Sequence, residues 1–448
     1  MVKNSIFISL LIACLFLLWA ALFNGFPIVY PDTSTYLSSG FELETPADRP
    51  ITYGLFILLT SLHGFSLWGV VLLQSFVLAY VIFLLFKYFT ACRNPQIFSL
   101  IAIIILSFTS GLPWVSGMLL PDVFTPISFI SLFLLFFSSK LTIGERIAVY
   151  VIFIVANAMH MSHLLINVLI ICSFLFITNI TFFKKHLPVI RTGKLILFLC
   201  ITFSGIIIMS SAMSKSKHIF YMGHMVENGI LKKFLDENCA SQNYKLCAYK
   251  DSLPASADRF LWDYKNSPIY KMGGWKECDS EFNSIIGQTF TKPEYIKLHI
   301  QASLSGTKNQ LTTFNIGEGN VSFGKETMLY QRIEKFIPGN IESYAHCKQT
   351  ESKLTLFRIF DWPYKIAVYF SLIVLIFLLV LKQLRNRTTA EQRLLIVFTF
   401  SGIIYNDFVC ATLSKVANRF ACRIMWLLPL LLLMIIFSNL SGSQKNKL

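Results

Sequence analysis

Apolar stretches about as long as a bilayer is thick recur along this chain, and that recurrence leaves few folds open. They lie near residues 5–27, 66–87, 96–113, 122–139, 147–162, 164–181, 194–213, 363–382, 393–412 and 420–438. A helix needs roughly 20 residues to cross the hydrocarbon core, and inside lipid its backbone amides must be satisfied within the helix itself. The pattern predicts an all-α polytopic membrane protein with about ten transmembrane helices. Composition agrees, since 54% of the 448 residues are hydrophobic and only 14% are charged, below the usual share for a soluble domain. The first run has Lys3 ahead of an apolar core, as a signal peptide does. Its length reads as an uncleaved anchor.

Residues 147–181 hold two spans only if both are short, so the run is divided at NAMHMSH, which puts its two basic flanks on one side. Charge then gives the orientation. Outside residues 214–361 the chain has 20 Lys and Arg and 8 Asp and Glu. With ten spans and the N-terminus inside, only Arg49, Lys365, Lys415, Arg419 and Arg423 of those basic residues face out, a strong positive-inside bias. The net charge of +15 therefore belongs to membrane topology, and nucleic acid is not an expected partner. Both termini are expected in the cytoplasm of a bacterium, with the chain in its inner membrane. An N-terminal membrane module (1–213, first exoplasmic loop 28–65) and a C-terminal one (362–448) flank a periplasmic insert at 214–361.

That insert is rich in aromatic residues and carries 19 basic and 16 acidic groups, enough apolar text for a small core. Stretches such as YIKLHIQASL and MLYQRIEKFI point to a mixed or mostly helical domain. Cys239, Cys247, Cys278 and Cys347 all fall within it. Four cysteines in an oxidising compartment fit two disulfides, with three connectivities open, and the absence of a CxxC pair disfavours zinc. The other six cysteines lie in or beside apolar runs, where each reads as a small buried hydrophobe.

The chain has no Walker A loop, dinucleotide-binding glycine fingerprint, HExxH or GxSxG, so chemistry must be sought in the outer loops. Six of the eight acids outside the insert face out, and Asp32, Glu42, Glu44 and Asp48 share the first loop. Asp32 lies just past the first span, where it reads either as a helix cap or as a general base or metal ligand. Glu42, Glu44 and Asp48 read as loop-solvating, with Arg49 pairing with one of them. Asp122 follows Pro121 at the outer start of a span, placed either as a helix-start acid or as a second carboxylate sharing base or metal duties with Asp32. His160 and His163 are three apart and would share a helix face, as interfacial hydrogen-bonders or as groups that bind a phosphate or assist a metal. Lys415, Arg419 and Arg423 follow i, i+4, i+8 spacing, one stripe that either snorkels to head groups or clamps a phosphate.

In order, YPDTSTY, RPITYGLFILL, LPDVFTPISFISLFLL and NRFACRIMWLLPLLLL resemble the segments of C-type (GT-C) membrane glycosyltransferases. The resemblance covers the membrane portion, roughly 300 residues. It implies transfer of a hexosyl or pentosyl group from a polyprenyl-phosphate-linked donor to a periplasmic lipid, glycan or protein acceptor. Asp32 would then be the catalytic acid residue with Asp122 as a second. Tyr36, Arg49, Tyr53, His160, His163, Lys415, Arg419 and Arg423 would meet substrate, and a divalent cation on Asp32 and Asp122 is an option. The sequence departs from the family in placing Thr33 where many members have Glu after the first acid. It departs again in carrying its insert between spans seven and eight. The competing readings are a transporter or flippase of lipid-linked intermediates and a non-catalytic membrane assembly protein.

Overall fold

The computed structural model describes residues 2–179, 196–198, 200, 202 and 217–445. Among them the chain is helical, with no strand and one isolated parallel bridge between Ile28 and Met118. Four helical stretches are long and apolar enough to cross a membrane: Trp68–Phe89, Lys353–Val380, Ala390–Leu413 and Asn418–Ser441. Shorter apolar helices accompany them at Asn4–Leu17, Pro95–Thr109, Pro121–Phe137 and Met161–Phe176. The expected span at 194–213 lies, but for a few residues, outside the described residues.

The first apolar run forms α1 (Val2–Leu17) and α2 (Trp19–Asn24), ending where Gly25 takes the left-handed conformation at φ 82°, which a glycine adopts without strain. A buried extended strip follows and is held on both sides. Ile28 N donates to Gly117 O (2.9 Å) and Leu119 N donates to Ile28 O (2.8 Å). Opposite, the buried Gln349 amide accepts from Val29 N (3.0 Å) and donates to Val29 O (2.8 Å), standing in for a neighbouring strand. The strip feeds α3 (Pro31–Glu42), whose Pro31 forfeits only an amide that a first turn leaves unpaired anyway.

Thr33 Oγ1 accepts from Tyr30 N (3.0 Å) and donates to Leu119 O (3.0 Å), so the position where the family resemblance expects Glu is occupied by the start of this helix. Helix α4 (Thr52–Thr60) packs across α3 where Gly40 and Gly54 meet: a Cβ on Gly54 would lie 2.3 Å from Ser39 Oγ and 2.7 Å from Tyr36 O. Small residues at such a crossing let two backbones approach.

The bundle continues through α5 (Trp68–Phe89), α6 (Pro95–Thr109), α7 (Leu112–Gly117), α8 (Phe124–Phe137), α9 (Ile143–Met159) and α10 (Met161–Asn179). The division expected within 147–181 falls at His160, where the backbone is extended (φ −155°, ψ 141°). After the insert come α11 (Asp361–Val380), α12 (Ala390–Leu413), α13 (Asn418–Met425) and α14 (Leu427–Lys445). The last apolar run is broken between α13 and α14 because Pro429 has no N–H to give Met425 O.

Segment 214–361 packs as two units. Residues from Ile219 to Ala302 close a core of their own around Phe234, Phe260 and Phe282. Residues from Phe314 to Leu354 join the core of the membrane bundle instead. This division corrects the expectation of two disulfides. Cys239 bonds to Cys247, but Cys278 and Cys347 are free. Cys278 sits in the insert's own core and Cys347 in the bundle's core, so the two have no route to each other.

The α3–α4 crossing yields a direct test. Gly54→Ala is expected to force α3 away, lower stability by about 1–3 kcal/mol, and shift the thermal midpoint of the detergent-purified protein, whereas Gly144→Ala, with open space around it, leaves it unchanged.

Candidate functional site

Helix α13 carries Arg419 and Arg423 one turn apart, so both emerge on one side of it. Each meets a different aspartate. Arg419 Nη1 donates to Asp32 Oδ2 (2.9 Å) and Arg423 Nη1 donates to Asp122 Oδ1 (3.0 Å). The residues flagged in the first loop, the start of α8 and the last outer loop therefore come together at one end of the bundle.

Asp32 is held from two sides. Its Oδ1 faces Arg49, with Nη1 and Nη2 both at 3.4 Å. Arg49 is fixed in turn by Asp48, to which Nε donates at 2.8 Å, and by the Tyr36 ring 5.0 Å below its guanidinium. Burial raises the Asp32 pKa, but the charges of Arg49 and Arg419 outweigh it and hold the carboxyl well below the usual range. Asp32 does not cap α3, because Thr33 does that work. Glu42, as expected, lies away from the site, bridged to Arg332 (3.3 Å) and Lys335 (2.7 Å).

The two arginines differ in how many of their five donors are used. Arg423 is 1% exposed and engaged through all three nitrogens: Nε on Asn406 Oδ1 (3.1 Å), Nη1 on Asp122 Oδ1, and Nη2 near Asn406 Oδ1 (2.8 Å), Ser162 Oγ (3.2 Å) and Cys410 Sγ (3.2 Å). Arg419 spends one side-chain hydrogen bond, on Asp32, and its Nε is buried with no acceptor. It lies over the Tyr30 ring at 4.4 Å and the Phe420 ring at 4.9 Å, which steer the guanidinium and leave its other N–H groups free. Arg423 thus ties the surrounding helices together, whereas Arg419 keeps N–H groups without an acceptor among the described residues. The expectation that both clamp a phosphate is corrected for Arg423 on that count.

Lys415 is corrected as well. Helix α13 starts only at Asn418, since Ala417 is extended (φ −149°, ψ 143°), so no i, i+4, i+8 stripe forms. Lys415 pairs with Asp258 of the insert at 2.6 Å. His160 and His163 do not share a helix face, because the chain is extended at His160. His163 is fully buried, donating from Nδ1 to Ala156 O (2.7 Å) with Nε2 on Thr125 Oγ1 (2.7 Å), and has no ring nitrogen left for substrate. Tyr53 is also fully buried, its hydroxyl on Gln74 Oε1 (3.2 Å) and its ring 4.9 Å from that of Tyr36. It packs behind the site.

Asp122 is 8% exposed and turned to Arg423, so each carboxylate is bonded to its own arginine of α13. Among the described residues no group of three His, Cys, Asp or Glu is placed to hold a metal ion. The donor set fits guanidinium–anion chemistry better than a cation.

Four contributors were not anticipated. Glu318 accepts from Arg419 N (2.9 Å) and from Tyr30 OH (3.4 Å). Its loop turns at Gly317 and Gly319, both at positive φ, and Gly319 lies flat on Tyr30, where a Cβ would fall 2.1 Å from the ring. The Gly-Glu-Gly text was the available signal. Asn406 and Asp407 form the floor, Asn406 Nδ2 donating to Asp407 Oδ1 (2.8 Å) and to Phe420 O (2.7 Å). Polar residues inside an apolar run mark such places. Ser162 joins Arg423 to His160, whose Nδ1 lies 2.8 Å from Ser162 Oγ. No family model matches this chain, and no curated protein or solved structure matches it either.

Two outcomes follow from the donor count and the charge balance. Arg423→Gln breaks a buried pair and is expected to cost about 3–5 kcal/mol, while Arg419→Gln, which leaves Arg49 on Asp32, costs about 1 kcal/mol or less; denaturant titration in detergent separates them. Because the folded-state pKa of Asp32 is depressed, its stabilisation is complete above the ordinary aspartate value of 3.8 and is lost only as pH falls below it. The difference in melting temperature between wild type and Asp32→Asn should be constant from pH 8 to pH 5.

Proposed function

We propose that this chain is a GT-C-like glycosyltransferase that moves a sugar from a polyprenyl-phosphate-linked donor to a hydroxyl-bearing periplasmic acceptor. One observation carries the reading: a carboxylate and an under-used guanidinium, Asp32 and Arg419, face each other at one end of an apolar helical bundle. A sugar transfer of this kind needs those two groups, a base for the incoming hydroxyl and a cation for the departing phosphate. A scaffold protein has no use for a half-satisfied arginine beside a carboxylate. In a midplane carrier, paired broken helices in two related halves would be expected.

The proposed topology has ten spans, the apolar run at 194–213 among them. Basic loops face the cytoplasm and the site faces the periplasm of a bacterial inner membrane. In the single displacement, Asp32 accepts the proton of the acceptor hydroxyl as its oxygen bonds to the anomeric carbon. The bond from that carbon to the donor's phosphate oxygen breaks, and polyprenyl phosphate leaves with the electron pair. Arg419, and Arg49 beside it, meet the charge that develops on the leaving phosphate. Asp122 and Arg423 hold α13 in place, so they position Arg419 without touching substrate.

Asp32→Asn in the purified protein should lower sugar transfer from a lipid-linked donor at least a hundredfold, as loss of a general base does, with the fold kept and the donor still bound. Transfer at the wild-type rate by a folded Asp32→Asn protein would remove the base assignment.

A further inference from the structure

A histidine tied through Ser162 to Arg423, one turn from Arg419, has its proton position dictated by the backbone. His160 caps the break between α9 and α10, and its Nδ1 accepts from Ser162 N at 3.2 Å. A nitrogen that accepts an amide N–H carries no proton itself, so the ring is neutral and its hydrogen sits on Nε2. The second contact to Nδ1, at 2.8 Å, comes from Ser162 Oγ. With Nδ1 unprotonated, the hydroxyl is the donor in that contact, and its oxygen accepts from Arg423 Nη2 (3.2 Å). Arg423 Nη2, Ser162 and His160 thus form one hydrogen-bonded chain. No described residue accepts from Nε2. The ring is only half-buried, and Nε2 is not among the enclosed polar atoms that lack a partner. The ring lies within electrostatic reach of Arg419, Arg49, Arg423 and Asp32.

We propose that His160 Nε2–H and the unpaired N–H groups of Arg419 together form a phosphate-oxygen subsite, in which His160 is a neutral hydrogen-bond donor and takes no part in proton transfer. The inference rests on the transferase reading for the identity of the phosphate, which would be the head group of a polyprenyl phosphate. Free phosphate has the same chemistry and is the other possible source. The His–Ser–Arg chain gives Arg423 a role beside Arg419: through Ser162 it supports the tautomer of the neighbouring donor.

The test measures binding of two probes, a polyprenyl monophosphate in micelles and inorganic phosphate, to the full-length detergent-purified chain and to three variants. Gln places an amide N–H near the position of Nε2, Asn reaches only that of Nδ1, and Phe keeps the ring without a donor. His160→Gln should bind within about threefold of wild type, whereas His160→Asn and His160→Phe should weaken binding about ten- to a hundredfold, the range for a hydrogen bond to a charged group. The probe that shows this dependence identifies the source of the phosphate. Nitrogen-15 spectra of the imidazole should show one protonated nitrogen, Nε2, from pH 6 to 8. Wild-type affinity in His160→Phe for both probes, no binding of either probe by wild type, or a doubly protonated ring in that pH range each overturns the proposal. The base assignment fails separately, on transfer by Asp32→Asn, so the two can be told apart.

Discussion

A charge in apolar surroundings persists only beside its opposite, and this site is built on that constraint through a single turn of α13. Arg419 and Arg423 leave the same face of an eight-residue helix, so whatever neutralises one is fixed in distance from whatever neutralises the other. Asp32 and Asp122 belong to segments ninety residues apart, yet each must arrive where its arginine is. The buried Arg423 pair is the stricter of the two, because an unmatched charge there would cost several kcal/mol. Its bonds to Asn406 and Cys410, Ser162 and Asp122 tie α12, the start of α10 and the turn before α8 to one guanidinium.

The insert completes what the bundle begins. Gln349 gives the strip at Val29 a second side, and Asn24 Oδ1 accepts from Gln349 N (2.7 Å) to hold that amide in turn. Glu318 fixes Arg419 N and Tyr30 OH. Segment 214–361 is therefore no appendage. Its second half belongs to the bundle and helps hold Asp32 and Arg419 face to face, while its first half keeps a separate core and reaches back through the Asp258–Lys415 pair.

The helical bundle was legible because apolar runs and charge flanks are one-dimensional signals, and the boundaries read from them lie within a few residues of the helices. Asp32, Arg49 and Arg419 were legible because ionisable residues beside apolar runs are scarce. What escaped depends on local backbone. Lys415 has helical spacing from Arg419, but Ala417 is extended, so the stripe is interrupted before it forms. His163 has the same residue type as His160 and lies three places away, yet one turn of helix puts it inside, between Thr125 and Ala156. Four cysteines in one polar segment looked like two pairs, and the division of that segment into two cores decided otherwise. Glu318 and Gln349 act through contacts about one hundred and three hundred residues away in the chain, which no local pattern carries.

The depressed pKa of Asp32 bears on the proposed chemistry. A carboxylate held by two guanidiniums is a weak base, because each positive charge that favours its ionised form also lowers its affinity for a proton. It gains basicity only when those charges are drawn elsewhere, and an incoming phosphate is the group able to draw them. Arg419 can turn to a phosphate without leaving its place, since Tyr30, Phe420 and Glu318 hold its ring contacts and backbone while its Nε and remaining N–H groups are free. On the proposed reading the donor's phosphate is thus both the leaving group's handle and the switch that frees the base. Asp32 would take a proton from an acceptor hydroxyl only when a donor is in place, which keeps water from being deprotonated in an empty site.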